Sequence, residues 1–549
     1  MNKLHKLFYV ISLCFLSSII SAQVTITFPT SRSVFQRDNN NHSTLYIAGN
    51  YTTFVNKVEA RVVARTMSPS QGTSTNWVII QSNPSNGFYY GSLVVSGGWY
   101  DLEVRCWNET TLVGTSSIQR IGIGEVFLIA GQSNATGDSE LKNEGNYGPM
   151  ANDDRVSVVN HTLTFPINFG AISLPRADFS RLDSTYNISP FGVSAWCWGA
   201  LGDSLTKKLN VPVAFFNAGW SGTGAAAWNE SANDSTATPT NFIIMPRGMP
   251  YGNLRASLHF YLAQFGARAV LWHQGETDNL QETSRNTYGA YLKNIITKSR
   301  QHSGKSNLSW VVSRATRYKG FQIVNSRTWQ PVIDAQNDVI GLNGTGQANY
   351  TTQVFEGPKT DSLVGPNIRT PDSIHFVGSG HRILASVWSQ KLNTNFFNNS
   401  IPCLPTPPPQ LNTTCDGISS LLIQSNIPYN NYLWTNNTEV SNNLSTSASY
   451  SSSSGSYRLK VKDNLGNILI SPQISIPNNF AGLIPISSVS SGTWHDSSTW
   501  ECNRIPSSID MVTIKATHEV IIGGGLTARY KKLELKGSLR FFSTSKLTN

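Results

Sequence analysis

The sequence of 549 residues is poor in charge and has no long apolar run after its N-terminus. Only 13% of the residues are Asp, Glu, Lys or Arg, a composition typical of extracellular β-rich chains rather than of cytosolic helical ones. The formal net charge is +10 at pH 7, but the basic residues form no cluster along the chain. We therefore expect neither a nucleic-acid groove nor a membrane span, which needs about 18 consecutive apolar residues.

Cysteine is also scarce, with six residues in the whole chain. No CxxC pair is present, so nothing indicates a zinc site, and we expect no metal or other cofactor. Cys403 and Cys415 are close enough in sequence to bridge across a proline-rich segment in an oxidising compartment, and the sequence leaves the cysteine pairing open. Cys106, Cys197 and Cys502 have no obvious partner in the sequence.

The N-terminus has the order of a secretory signal peptide. Lys3 and Lys6 precede an apolar stretch too short for a membrane helix, and small residues end it before Gln23. We expect residues 1–22 to be removed after Ala22, which predicts a secreted or cell-surface protein. A lipid anchor on Cys14 is the weaker alternative, because no small residue directly precedes it.

The rest of the chain divides into segments of different pattern. Short alternating strands between Asn-, Ser- and Gly-rich turns predict β-sandwiches, whereas strands that alternate with amphipathic helices predict a parallel sheet covered by helices. The predicted segments are a β-sandwich at 23–122, an α/β domain at 123–397, a proline-rich linker at 398–410, a module at 411–480 that resembles immunoglobulin-like sandwiches, and a β-rich module at 481–549 that resembles the start of a β-helix or sandwich.

The run from Val126 to Ala130 is the stretch around which the α/β domain is organised. Its apolar residues predict a strand buried on both faces, and the small and polar residues Gly131 to Gly137, which contain the motif GQSN, end it abruptly. Ligands of open α/β sheets bind beyond the carboxyl ends of the strands, so Ser133 is expected at the mouth of a site. A simple polar turn is the alternative, since four-residue matches are common.

Two further predicted strands also end in polar loops, and a third polar motif precedes the last predicted helix. The loops read NAGWSGTG at 217–224 and HQGETD at 273–278, and the motif is DSIH at 372–375. Loops at one edge of a parallel sheet converge although they are distant in sequence. We therefore expect them to form one site together with Ser133.

Acyl transfer is the chemistry that suits these residues. A serine hydroxyl becomes a nucleophile when an imidazole removes its proton and a carboxylate orients the imidazole, which assigns Ser133, His375 and Asp372 to these roles. The backbone amides of Ser133 and Gly222 and the side-chain amide of Gln274 are the candidate donors to the oxyanion.

Alternatives stay open at single positions. His375 on its own is compatible with an ordinary loop histidine, and Asp361 is the second choice for the orienting acid. His273 is expected to line its loop, and His381 to cap or flank the last helix. Glu276 is interpreted as a residue that holds its loop or His375, with purely structural hydrogen bonding as the alternative.

The motifs GQSN, NAGWSGT, WHQGETD and DSIH resemble those of the SGNH hydrolase superfamily, specifically its sialate O-acetylesterase-like and acetylxylan-esterase-like branch. The resemblance implies a flavodoxin-like three-layer α/β domain flanked by all-β sandwich-type modules. It implies the same catalytic and oxyanion residues. Gln274 stands where the superfamily usually has Asn, and Ser221 stands where many relatives have Gly.

We therefore expect a secreted serine carbohydrate esterase that removes O-acetyl groups from a polysaccharide such as acetylated xylan, or from acetylated sugars, through an acyl-enzyme. The appended β-modules favour a polymeric substrate by association only. The alternatives are a catalytically silent sugar-binding or adhesin domain, and a lipase or thioesterase that uses the same triad.

Overall fold

The structure is a computed structural model that describes residues 23–66, 69–161, 175–238, 244–319, 326–343, 352–416, 420–436, 443–476 and 482–549. The predicted signal peptide, residues 1–22, lies outside the described residues, as does part of the predicted α/β domain.

The N-terminal region is built from β-strands in two sheets. The strands are β1 (Val24–Phe28), β2 (Val34–Gln36), β3 (His42–Tyr51), β4 (Lys57–Ala64), β5 (Val78–Ser82), β6 (Phe88–Ser96), β7 (Gly98–Asn108) and β8 (Thr111–Gly131). One sheet has the order β1-β3-β6, and in the other β8 pairs with β2 and β7, β7 with β4, and β4 with β5. Alternate residues such as Val58, Val62 and Leu102 are buried and share one core with Leu45 and Ile47 of the first sheet.

Strand β8 continues from the N-terminal region into the α/β region. Its first half pairs antiparallel with β7, up to Ile123. Its second half pairs in parallel with two strands of the α/β region, from Glu125 onward. The domain boundary predicted between residues 122 and 123 therefore falls inside a continuous strand, and the two regions share one sheet.

The α/β region alternates strands and helices as the sequence predicts. The strands are β9 (Val156–Val159), β10 (Phe179–Arg181), β11 (Val213–Asn217), β12 (Ala269–His273), β13 (Ser309–Arg314) and β14 (Val354–Lys359). The helices are α1 (Ser133–Thr136), α2 (Ser139–Asn143), α3 (Trp198–Leu209), α4 (Ala225–Ala232), α5 (Tyr251–Ala256), α6 (Ala263–Phe265), α7 (Glu276–Leu280), α8 (Arg285–Ser303), α9 (Gln330–Ile340), α10 (Gly380–Lys391) and α11 (Thr394–Asn399), with a π-helical turn at Ser257–Leu262 between α5 and α6.

The strand order in this region is β10-β9-β11-β8-β12-β13-β14, and only the edge strand β10 is antiparallel to its neighbour. Alternate residues of β8 enter different cores: Val126 and Leu128 pack with Trp272, whereas Phe127 and Ile129 pack with residues of α3 and α10. The apolar run of β8 is thus buried on both faces, as expected for a central parallel strand. The fold is mixed α/β with a central mixed sheet.

A buried ion pair lies where the N-terminal region meets the α/β region. The Glu125 carboxylate accepts hydrogen bonds from Arg268 Nε at 2.8 Å and Arg37 Nε at 2.8 Å, and from the Gln36 side-chain amide at 2.9 Å. Glu125 is fully buried and Arg268 almost so. Because removal of one partner leaves a buried charge unpaired, such a change typically costs about 3–5 kcal/mol.

The C-terminal region is all β. Its first part contains β15 (Leu411–Cys415), β16 (Leu421–Ser425), β17 (Asn431–Asn436), β18 (Asn443–Ser445), β19 (Ser449–Ser452), β20 (Gly455–Lys462), β21 (Ile468–Ile470) and β22 (Ile474–Ile476). These strands pair antiparallel in two sheets, β15-β16-β19 and β18-β17-β20-β21 with β22 beside β20. Trp434 is completely buried in their common core.

The last part pairs its strands in parallel. It contains β23 (Ile486–Ser487), β24 (Gly492–Thr493), β25 (Met511–Ile514), β26 (Glu519–Ile522), β27 (Thr527–Arg529), β28 (Lys532–Leu535), β29 (Ser538–Phe541) and β30 (Lys546–Thr548). The sheets are β23-β25-β28, β24-β26-β29 and β27-β30. Successive parallel coils that stack in this way form a β-helical arrangement.

The structure does not join Cys403 to Cys415, the pair that their spacing would allow. Cys403 is a buried free thiol, and its backbone pairs with Ala267 through two hydrogen bonds of 2.9 Å. Cys415 at the end of β15 is joined to Cys502 instead, with the Cα atoms 4.9 Å apart, within the range that a disulfide spans. Cys403 and Cys415 are near in sequence, but the pairing of Cys403 with Ala267 holds it in a different core from Cys415 and Cys502.

Candidate active site

Ser133 lies where β8 turns directly into α1. Gly131 has a φ of 130°, and a Cβ atom there would lie 2.0 Å from the carbonyl oxygen of His273. Only glycine allows the chain to turn this close to the neighbouring strand β12. Ser133 is the first residue of α1 and is 3% exposed.

The structure brings Ser133, His375 and Asp372 together. His375 Nε2 lies 2.8 Å from Ser133 Oγ, a hydrogen-bond distance. On the other side of the ring, His375 Nδ1 lies 3.5 Å from Asp372 Oδ2, an ion-pair distance at the outer limit of a hydrogen bond. Three groups predicted from two separate motifs thus lie next to one another, and such contacts commonly tighten only when substrate binds.

The electrostatics of the pair suit a general base. Burial disfavours the charged form of Asp372, but hydrogen bonds from His375, from the Thr370 hydroxyl and from the Ile374 amide outweigh it and lower the pKa of Asp372 to about 2. Burial also disfavours charged His375, but contact with Asp372 and the nearby charge of Asp138 raise its pKa above the ordinary value of 6.5. Asp372 is therefore ionised wherever His375 titrates.

Asn134 connects the Ser133 turn to the loop that carries His375, a role that the sequence did not reveal. Its Nδ2 donates to the carbonyl of Ile374 at 2.9 Å and to Glu276 Oε1 at 2.8 Å, and its Oδ1 accepts from the Phe376 amide at 3.3 Å. The residues before and after His375 are thus both bound to the residue after Ser133. Glu276 supports this arrangement through Asn134 and has no direct contact with His375 among the described hydrogen bonds and ion pairs.

The loop at 217–224 lies against the turn at 131–137 that carries Ser133. Ser221 Oγ donates to the Gly137 carbonyl at 3.2 Å, and the Trp220 amide donates to the Gly131 carbonyl at 2.8 Å. Gly222, next in sequence, has a φ of 72°, a conformation that favours glycine. Within the described part of the chain, the backbone amides of Ser133 and Gly222 donate to no acceptor, so both are available to an oxyanion.

Gln274 is buried beneath this loop and its side chain is already engaged. Its Nε2 lies within hydrogen-bond distance of Asp278 Oδ2 at 2.5 Å, the Thr223 carbonyl at 3.1 Å and Gln132 Oε1 at 3.2 Å. Its Oε1 accepts from the Tyr288 hydroxyl at 2.9 Å. The two hydrogens of this amide thus have three acceptors nearby, and the amide holds the loops at 217–224 and 273–278 together. The role of Gln274 as an oxyanion donor stays a prediction.

The side chains of the remaining predicted residues have no described hydrogen bond or ion pair with Ser133. Asp361, the alternative orienting acid, accepts from the Thr316 amide at 2.7 Å and from the Arg317 amide at 2.9 Å. His273 is completely buried, with Nε2 3.6 Å from Glu276. His381 lies at the start of α10, buried against Trp196.

Asp138 is a second carboxylate beside His375 that the sequence did not single out. Its Oδ1 accepts from the Glu140 and Leu141 amides, both at 3.0 Å, and so caps α2. Its Oδ2 lies 3.7 Å from His375 Nε2. An Asp that caps a short helix is an ordinary sequence feature. Only the folded loop shows that Asp138 faces His375.

A groove of about 700 Å³ lies between α2 and the loop that carries Asp372. Its walls include Glu144 of α2 and Arg369, Thr370 and Ser373 of the loop. Within the described ranges, no group of three or more His, Cys, Asp or Glu side chains could hold a metal ion. No helix in these ranges is both long and apolar enough to cross a bilayer.

Comparisons with known proteins address the α/β region. Residues 123–346 match the family model described as "carbohydrate esterase, sialic acid-specific acetylesterase". No curated protein matches the chain.

Among solved structures, a carbohydrate acetylesterase from Xanthomonas citri is 13% identical, with 82% of this chain and 98% of that chain covered and a TM-score of 0.38. A protein from Arabidopsis thaliana is 16% identical, with 50% and 98% covered and a TM-score of 0.33. Because these TM-scores are below 0.5, the assignment rests on the match to the family model. Residues 123–346 are thus similar to a carbohydrate esterase family, and the protein is a carboxylic ester hydrolase.

Proposed function

We propose that the protein is a secreted serine acetylesterase that removes O-acetyl groups from a carbohydrate through an acyl-enzyme. The observation that carries this proposal is the 2.8 Å contact between Ser133 Oγ and His375 Nε2, with the Asp372 carboxylate on the other ring nitrogen. A hydroxyl with this partner is a nucleophile for an ester carbonyl.

The reaction follows from the positions of these groups. His375 Nε2 accepts the Ser133 proton while Oγ attacks the acetyl carbonyl carbon, and the Ser133 and Gly222 amides bind the oxyanion. The bond to the sugar oxygen then breaks, and His375 returns the proton to that oxygen. In the second half, His375 takes a proton from water, and the resulting hydroxide attacks the acetyl carbon. The bond from that carbon to Ser133 Oγ then breaks, His375 returns the proton to Oγ, and acetate leaves.

The α/β region is proposed to have the flavodoxin-like three-layer arrangement of the SGNH hydrolases. Support comes from the strand order β11-β8-β12-β13-β14. When these five parallel strands are numbered by their order in the sequence, and β9 is set aside as an additional edge strand, the order is 2-1-3-4-5, as in flavodoxin-like sheets. In this order the crevice for a ligand lies at the carboxyl ends of β8 and β12, where Ser133 and Gln274 follow. The boundaries 23–122, 123–397, 398–410, 411–480 and 481–549 are proposed with it, with sandwich-type modules at 23–122 and 411–480.

An acetylated polysaccharide such as xylan, or an oligosaccharide, is the proposed substrate. The groove between α2 and the loop that carries Asp372 has Glu144, Arg369 and Thr370 in its walls, and such polar groups suit sugar hydroxyls better than a long acyl chain. This favours an acetylesterase over a lipase or thioesterase. A silent sugar-binding domain would not need the contact between Ser133 and His375.

The test compares wild-type protein with the Ser133→Ala variant on an aryl acetate and on acetylated xylan. We expect a loss of turnover on the order of 10⁴- to 10⁶-fold, whereas Ser139→Ala, an exposed serine in α2, serves as the control and keeps its activity. Rapid quenching of the wild-type reaction should yield a peptide acetylated on Ser133. Unchanged turnover in Ser133→Ala would refute the nucleophile.

A further inference from the structure

The imidazole of His375 lies between two carboxylates. Asp372 Oδ2 is 3.5 Å from Nδ1, and Asp138 Oδ2 is 3.7 Å from Nε2, the nitrogen that contacts Ser133 Oγ. The side chain of Asp138 is 17% exposed, whereas that of Asp372 is 41% exposed. Because water and salt screen a buried charge less than an exposed one, the two carboxylates act on the ring through space with comparable strength.

The carboxylate of Asp138 is held in this position by α2. Its Oδ1 accepts hydrogen bonds from the amides of Glu140 and Leu141, both at 3.0 Å, and so caps the helix. Its Oδ2 faces His375 and accepts no hydrogen bond from the described residues. One oxygen therefore fixes the side chain while the other acts on the ring, so that no further side-chain entropy is lost when the ring becomes charged.

Charged groups on the other elements around His375 act in both directions. Glu276 of α7 adds to the negative field. Lys142 and Arg369 oppose it, because they keep their positive charges while they donate to neutral carbonyl and amide oxygens. Tyr318 adds no charge, since burial raises the pKa of its phenol. Burial of the ring lowers the pKa of His375, but the neighbouring carboxylates outweigh both burial and the cations and raise it above 6.5.

The ring of His375 becomes positive twice in the proposed reaction. Its Nε2 takes the proton of Ser133 Oγ as Oγ attacks the ester, and gives that proton to the sugar oxygen as the bond to the acetyl carbon breaks. It then takes a proton from water and returns it to Oγ. A carboxylate 3.7 Å from Nε2 is too distant for a hydrogen bond, so it stabilises the charged ring without taking the proton.

We propose that Asp138 is a positioning residue of the esterase, which acts through His375 and shares with Asp372 the stabilisation of the protonated ring. The proposal rests on the proposed function. It holds for any sugar that carries the acetyl group, because the carboxylate acts on the ring and not on the substrate. The site thus has a stronger base than a single carboxylate would provide.

The first test is the pH dependence of kcat/KM on an aryl acetate. Asp138→Asn removes the charge and keeps a good N-cap, and Asp138→Ser is a second capping variant. Loss of the charge lowers the pKa of His375, so the acid midpoint should move down by about 0.5–1 pH unit. The plateau above the midpoint should fall by about 3- to 10-fold. Glu140→Gln, which removes a charge from an exposed position of α2, is the matched control and should change neither.

The second test needs no turnover. In Ser133→Ala protein labelled with ¹³C-histidine, the Cε1 resonance of His375, identified by its loss in His375→Gln, reports the pKa of the ring. Adding Asp138→Asn should lower that pKa by the same amount as the kinetic midpoint. A folded Asp138→Asn variant that loses activity while the midpoint and the resonance titrate as before would overturn the proposal, since a merely structural role predicts that result. Absence of hydrolysis of any acetyl ester by the wild type would refute the esterase function, and the titration would still decide whether Asp138 acts on His375.

Discussion

Asn134 offers the sharpest test of how the site is held together. Its side chain is completely buried and bonds to Ile374, Phe376 and Glu276, so that it fixes the backbone on both sides of His375. The bond to the Glu276 carboxylate is of the charged kind, about 1.5–3 kcal/mol, and each bond to backbone is about 0.5–1.5 kcal/mol. Asn134→Ala removes all three and leaves Glu276 buried with one donor fewer.

The expected result is a fall in kcat on the order of 10²-fold, since a displacement of about 1 Å of a catalytic group costs roughly that much. KM should change little, because the substrate-facing groups remain. The assay is steady-state hydrolysis of an aryl acetate, with the rate at which a sulfonyl fluoride modifies Ser133 as a second readout. Asn143→Ala, an exposed asparagine of α2, is the control. If Asn134→Ala folds and both rates match the wild type, Asn134 does not position the histidine.

Two further predictions concern the base and the buried amide. Because His375 must be neutral to accept the serine proton and its pKa is raised above 6.5, kcat/KM should fall toward acid with a midpoint above pH 6.5. In Asp372→Asn that midpoint should move to lower pH while turnover drops by about 10⁴-fold, and a midpoint that does not move would contradict the assigned contact. Gln274→Ala should lower the free energy of unfolding by about 1–3 kcal/mol, because buried Asp278 loses a donor, with kcat reduced less than about 10²-fold. A loss of 10²- to 10³-fold at unchanged thermal stability would instead put the amide in the oxyanion hole.

Local pattern was enough to predict the elements that carry the site. Trp198, Leu201 and Leu205 repeat with helical spacing, and the structure has α3 there. The run from Val126 to Ala130 is a central strand buried on both faces. These features follow from nearest neighbours along the chain and from the burial that their apolar residues require. The motif loops then converge because carboxyl ends of parallel strands share one edge.

The sequence by itself determined which chemical groups were present: a serine after a buried strand, a carboxylate and an imidazole three positions apart, and glycines at the sharp turns. Only the tertiary structure decided their neighbours. It brought Asp138 to the nucleophile side of His375, Asn134 under the histidine loop, and Cys415 next to Cys502. Those contacts depend on the relative positions of segments far apart in the chain, and such positions come from packing of the whole molecule rather than from local preference.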